Sequence, residues 1–472
     1  MPDLKRSFNL SASVSVVVGG IIGSAIFMKP ALMAAQLGSP ALLLAVWAGA
    51  GVITLFGALS NAEVAAMMPE TGGQYIFFQR MYGPFVAFLY GWAAFAVFNT
   101  AGVASIAYVL GTYVQYFAHL PRFPAAQEHA VDLYIPFLGH IYPLENIGVK
   151  GVTIVVVLLL TFINYRSTRI GGHVLVVFTA LKIVALVLIV FSILFSGKGH
   201  VANFFTTDPA LLPHGWALAG ALVAAMSGAF WGYDGWNNIT FVAGEIRDPQ
   251  INIPRSLLIG LLVCMGIYCT VVLAYLYVLP IDVIAASPLV AADAAQAVLG
   301  TTGGAIIALL VIISTFGTTH GNILATARVS FAMAREKQFF ATVGRIHPRF
   351  GTPGNALLIH GIWTSLLVLS GSFDTLTDML IFVTWLFYGL SALGVFILRK
   401  KMPHAPRPYR VWGYPYVPAL FVLFTIAYLV STLIHDITAY LSGQAIIINS
   451  VFGIVLTVIG LPLYWYYRRR HH

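Results

Sequence analysis

An all-α membrane protein of twelve transmembrane helices is the fold class that this sequence predicts, and three observations predict it. Hydrophobic residues make up 59% of the 472 and charged residues only 9%, against about 25% charged in an average soluble chain. Apolar runs of about 20 residues, the length that crosses the hydrocarbon, recur along the chain. The cations gather in alternate connecting segments. With so few charges a soluble surface, a disordered chain and a coiled coil are excluded. The two cysteines, Cys264 and Cys269, share one apolar stretch and make no disulfide framework.

The expected spans are roughly 10–37, 40–68, 82–118, 146–165, 171–196, 215–243, 255–280, 303–334, 354–371, 377–398, 414–435 and 446–467. They are rich in Gly and Ala and do not alternate, which argues against a β-barrel. No small-residue cleavage site follows the first apolar core, so no cleaved leader is expected. His471 and His472, native or a tag remnant, are left aside. With the N-terminus inside, twenty of the 25 Lys and Arg fall in inner segments. They include Lys5, Arg6, Arg80, Arg166, Arg335, Arg399 to Lys401 and Arg468 to Arg470. Only Arg122, Lys150 and Lys198 fall outside, and Lys29 and Lys182 lie within spans. This is the positive-inside pattern. It places both termini in the cytoplasm and accounts for the net charge of +9 without nucleic acid.

Two spans are interrupted where a helix should run on. The first carries Val18-Gly19-Gly20-Ile21-Ile22-Gly23-Ser24, and the sixth carries Trp231-Gly232-Tyr233-Asp234-Gly235-Trp236. Each glycine costs about 1 kcal/mol in a helix interior, and bare backbone in lipid costs several more. Irregular backbone at that depth therefore points to a cavity, although glycines also permit close helix packing. The first and sixth spans each open a set of five, and an odd set reverses the orientation of the second. Two broken helices in corresponding positions of inverted halves point to a transporter with its site at the midplane. Bare N–H groups there favour a carboxylate, and bare carbonyls favour an ammonium. Together they suit a free amino acid.

Several side chains are candidates around these breaks. Lys182 lies about eleven residues into the fifth span, where an ionisable group is a functional hypothesis by default. The expected role is a cation that bridges to the unwound first span in place of sodium, or that exchanges a proton. Asp234 is a candidate for a ligand amine, a proton or local backbone capping. Glu63 reads as an anchor near the inner end of the second span. Lys29, near the outer end of the first, is expected to snorkel. His320 and His360 read as satisfied core histidines rather than a proton relay. Of the aromatics Phe230, Trp231, Tyr233 and Trp236, most should be packing, with Trp231 placed as a lid. Tyr268 and Asn237 are candidate polar groups of the pocket. No Walker lysine, metal-ligand spacing or nucleophile elbow is present, so no cofactor or metal is expected.

These residues resemble the L-amino acid transporter branch of the amino acid–polyamine–organocation superfamily, in its prokaryotic form, over nearly the whole length. The resemblance rests on Gly20-Ile21-Ile22-Gly23-Ser24-Ala25-Ile26-Phe27, Ala62-Glu63 and Met68-Pro69-Glu70-Thr71-Gly72-Gly73-Gln74-Tyr75. It continues through Tyr82-Gly83-Pro84, Phe88-Leu89-Tyr90-Gly91-Trp92, Tyr233-Asp234-Gly235-Trp236-Asn237-Asn238, Glu245-Ile246-Arg247-Asp248-Pro249, Ala334-Arg335-Glu336 and Ala405-Pro406-Arg407-Pro408-Tyr409. It implies a LeuT-like fold of five plus five inverted repeats and two further helices, divided at 1–198, 199–402 and 403–472. It implies that N–H groups around Ser24 and Ala25 take the substrate carboxylate, with Ile21 and Gly23 in the same turn. Carbonyls near Phe230, Trp231, Gly232 and Asp234 would take the amine. Trp231 would be the gate, and Lys182 would stand where other transporters hold sodium.

Two departures from the pattern matter. Ala25 stands where the family usually has Gly, and its methyl is expected to crowd the carboxylate turn. The outer loop 119–146 has no Cys, so no disulfide-linked heavy chain is expected, in keeping with a bacterial inner-membrane protein. The resulting expectation is a sodium-independent exchanger of neutral L-amino acids. A proton-coupled symporter or a polyamine exchanger is the alternative, and a membrane enzyme or nutrient sensor lacks the motifs it would need.

Overall fold

The computed structural model describes residues 8–69, 73–166, 183–184 and 186–470. Nine helices among the described residues are long and apolar enough to span a membrane, or ten when a bent pair is counted as one span. An eleventh apolar helix, Gly354–Ser370, has only 17 residues. The fifth expected span is described only in part. Helices occur at the eleven other expected places. Among the described residues the named strands form a short hairpin, Leu133–Ile135 paired with Gly139–Ile141.

Local chemistry sets several helix ends. Asn9 caps the first span by accepting from the Ala12 amide at 2.9 Å, and Ser39 with Pro40 opens the second span, Pro40–Met67. Gly38, left-handed at φ +57°, ends Ala25–Leu37. Ser372 caps the tenth span, Phe373–Lys401. The eighth, expected at 303–334, runs farther, over Val290–Arg335, and turns at Gly300, φ 72°.

The fourth span, Ile147–Arg166, shows how these helices pack. Val155, Leu158, Leu159 and Phe162 are exposed, as suits lipid tails. Its buried face carries Gly148, Thr153, Thr161 and Asn164, the small and polar residues that let membrane helices approach and hydrogen-bond. The first span lies against the sixth and seventh, and the seventh, Pro249–Val278, packs along the second.

The two ends of the bundle differ in their clamps. At the basic end Glu63 is 1% exposed and receives Arg399 through Nε at 2.9 Å and Nη2 at 2.7 Å. The Val411 amide adds a bond at 2.8 Å. Glu63 is thus the anchor expected of it, tying the second span to the tenth and to the loop beyond. At the opposite end Arg122 donates to Glu128 at 2.9 Å, and with the Asn146 amide it holds the Glu128 carboxyl below its ordinary range. Lys29 corrects the reading above. It does not snorkel: its side chain is fully buried, and its ammonium lies 2.6 Å from Asp374 and 3.8 Å from Asp378. The opposite charges come from the start of the tenth span, so the ammonium is paired inside the protein.

Candidate functional site

The first span is two helices, Leu10–Ile21 and Ala25–Leu37, bent by 44°. The interruption covers Ile22, Gly23 and Ser24, with Ile22 extended at ψ 100°. Gly19 and Gly20 are still helical, so the break is shorter than the glycine run. Gly20 is needed for another reason. A Cβ on it would sit 2.9 Å from the Gly235 carbonyl oxygen, and one on Gly235 would sit 2.4 Å from that of Gly20. Gly235 has φ +98°, a backbone that favours glycine. The two interruptions therefore touch main chain to main chain at this pair. In the sixth span the helix holds through Tyr233, and the turn is Asp234–Asn237. Phe230, Trp231 and Gly232 belong to the last helical turn before it.

Ser24 and Ala25 begin the second half of the first span. An α-helix has no internal partners for the N–H groups of its first turn, and Ser24 Oγ is buried with no protein partner. Free donors at a helix start are groups that an anion can use. The Ala25 methyl is buried beside this turn. It lies toward the sixth span, 3.7 Å from where a Gly232 Cβ would stand, an ordinary contact; the glycine at 232 makes room instead for the Trp47 ring, which such a Cβ would meet at 2.6 Å.

Tyr268 joins the two interruptions. Its hydroxyl lies 2.9 Å from the Ile21 carbonyl and 2.9 Å from that of Gly232, each in the last turn of a half-helix. Its single proton serves one carbonyl at a time. Tyr268 thus stands at acceptors of the kind an ammonium would use. The ring is held by Trp47 at 5.2 Å and Tyr233 at 5.3 Å, while Tyr233 donates to the Trp47 carbonyl at 3.0 Å.

Asp234 accepts from the Tyr388 hydroxyl at 2.7 Å, so one of its partners is a side chain of the tenth span; the Gly235 amide is another. Asn237 accepts from Asn61 at 2.8 Å, and Asn61 accepts from Ser391 at 2.7 Å. Asn237 therefore fixes the second, sixth and tenth spans together. Phe230 stacks on Trp385 at 3.8 Å and meets Tyr428 at 5.1 Å; its side chain is packing. Trp231 is 8% exposed and its indole N–H has no protein partner. Its ring reaches the third span at Gly102. His360 bonds Ser330 at 2.8 Å, and Asn164 donates to the His320 carbonyl at 3.2 Å. Lys182 lies outside the described residues.

Sequence reasoning missed two groups. One is the cluster of Asp374 and Asp378 around Lys29, to which Ser227 of the sixth span adds a bond on Asp378 at 3.0 Å. The other is a cavity of about 50 Å³ toward the basic end, lined by Gln74, Asn99, Asp234, Thr384 and Tyr388 among others. Asn99 follows a π-helical turn, Ala94–Phe98, and no local composition signal marks it.

Among known proteins, the chain matches the family model described as amino acid permease over residues 8–462. It is 30% identical over 470 residues to the serine/threonine exchanger SteT of Bacillus subtilis, which covers 99% of this chain and 98% of that protein. Large neutral amino acids transporter small subunit 2 of Mus musculus is 31% identical over 469 residues, 98% of this chain and 82% of the mouse protein. The b(0,+)-type amino acid transporter 1 of Homo sapiens is 29% identical over 439 residues, 92% of this chain and 84% of the human one.

Proposed function

The chain belongs to the amino acid permease family, in its L-amino acid transporter branch, and from that premise we propose that it is a sodium-independent exchanger of neutral L-amino acids. The observation that carries the reading is the contact of two interrupted helices at Gly20 and Gly235, beside a helix start at Ser24 and Ala25. Such a site offers a carboxylate free N–H groups and the positive end of a helix dipole. The ammonium would compete with Tyr268 for the Ile21 and Gly232 carbonyls, so that binding loosens the tie between the half-helices. A ligand that replaces an internal hydrogen bond biases the conformational equilibrium only through that difference.

Trp231, buried between the sixth and third spans, would close over the substrate. Lys182 would supply the charge that sodium supplies elsewhere. The inverted repeats at 1–198 and 199–402, with 403–472 beyond them, would rock about the site. A bacterial inner membrane with both termini cytoplasmic suits the basic end, and the relative SteT is a bacterial protein of matching length. The relatives bear names that range from serine/threonine exchange to large neutral amino acids. They support exchange over the symporter and polyamine alternatives.

The test is uptake of labelled L-serine and L-leucine into liposomes. Uptake is expected only into vesicles preloaded with unlabelled amino acid, and it is unaffected by removing sodium. Lys182→Ala is expected to slow it strongly in protein that still folds. Equal uptake into unloaded vesicles driven by a pH gradient would replace the exchanger with a proton symporter.

A further inference from the structure

We propose that the cavity beneath the sixth-span turn is a second binding station, which takes an oxygen-bearing end of the transported amino acid, its α-carboxylate or a side-chain oxygen, on the way between the central site and the basic end. The proposal rests on the transport reading above and adds to it a site with named donors. The cavity shares Asp234 and Gly235 with the sixth-span turn, so it adjoins the central site. Gln74, from the start of the helix Gln74–Tyr82, closes its far side.

Three polar groups on its wall have no protein partner: the amide nitrogens of Gln74 and Asn99, and the Thr384 hydroxyl. Gln74 is 1% exposed and Thr384 is 4% exposed. A buried donor left unmade costs about 1–3 kcal/mol, so three around one hollow imply an acceptor that visits. Thr384 is informative by contrast. Thr315, Thr319 and Thr425 each donate back to the carbonyl four residues earlier, at 2.7, 2.7 and 2.8 Å. That bond is the usual refuge of a threonine in a membrane helix, and Thr384 does not make it.

The backbone also departs from regularity here. The Asn99 backbone amide donates to the carbonyl of Ala94, five residues back, the signature of the π-helical turn that delivers Asn99. Such turns are frequent at functional sites. Two amide donors and a hydroxyl make an acceptor-seeking wall, and Asp234, with Tyr388 on it, marks the opposite polarity. The volume of about 50 Å³ suits a carboxylate or a hydroxymethyl group; a water needs at least about 10–15 Å³.

The experiment is exchange of L-serine and of L-alanine in liposomes, with KM measured separately at the two faces, for Asn99→Leu, Gln74→Leu, Thr384→Val and the conservative Thr384→Ser. Each apolar variant is expected to raise KM about tenfold, and Thr384→Ser to restore most of the affinity. A rise at the basic face alone, equal for both amino acids, assigns the carboxylate. A rise for serine and not for alanine assigns the side-chain oxygen. Unchanged KM in all variants, or a fall in rate alone that Thr384→Ser does not relieve, overturns the proposal. Wild type without exchange would refute the transport reading instead. The serine-induced rise in Tm of detergent-purified protein, compared between wild type and variants, then still decides whether the station binds.

Discussion

The two approaches to the interrupted helices differ in how their polar groups are satisfied. On the side away from the basic end, Lys29 is surrounded by Asp374 and Asp378, and Ser227 completes the set. Two helices are held there by charge and a third by the Ser227 hydrogen bond, with Phe230 and Trp385 packed nearby. On the basic side, Gln74, Asn99 and Thr384 face a hollow with donors to spare. One approach is held by groups that satisfy one another; the other is lined by groups that await a partner. A transporter that alternates must make and break contacts at each end in turn, and in this conformation Lys29 with Asp374 ties the first span to the tenth away from the basic end.

Substitutions sharpen this contrast, the largest effect first. Asp374→Ala leaves the Lys29 ammonium buried with only Asp378, at 3.8 Å, and is expected to cost about 3 kcal/mol in a thermal unfolding series in detergent. Lys29→Met leaves carboxylates that already reach solvent, 45% and 31% exposed, and should cost clearly less. Equal losses would mean that this tie is not governed by the buried cation.

Between the two approaches, Gly235→Ala forces a left-handed backbone and a 2.4 Å contact on Gly20 O. It is expected to cost about 2 kcal/mol and to abolish exchange. Gly20→Ala meets a 2.9 Å contact in a helix that alanine favours, so it should be milder on both readouts. If the reverse order is measured, the two interruptions do not meet as described.

The smallest effect on stability is expected for Tyr268→Phe, about 1 kcal/mol, because the ring keeps its packing on Trp47 and Tyr233. Exchange should slow more than stability falls, since the hydroxyl lies within reach of both the Ile21 and the Gly232 carbonyls. Unaltered exchange kinetics would show that the link is idle during transport.

Much of this was legible from residue order. The fourth span was expected at 146–165 and is Ile147–Arg166, because hydropathy is a local property. The breaks were placed correctly within a few residues, but the roles of their glycines were blurred. Gly23 marks the actual turn in the first span, whereas Gly20 marks an approach, and composition treats them alike. Lys29 was misread because snorkelling is the default for a cation near a span end. Its partner Asp374 stands 345 residues away, between two expected spans. Asp378 lay one residue inside an expected span, and the meeting of opposite charges at one end was the signal that could have found the cluster. Thr384 and Asn99 carried no such signal, since a threonine or asparagine in a span ordinarily bonds its own backbone or a neighbour.

By itself the sequence determined that the chain lives in a bilayer, where its helices cross, which end is basic and that two crossings are interrupted. Those properties depend on transfer free energy and backbone preference, which sum along the chain. Tertiary structure alone decided which charge meets which, which carbonyls Tyr268 caps and which donors are left without partners. Hydrogen bonds and ion pairs act over about 3–4 Å, and only the packing of distant helices fixes which side chains come within that reach.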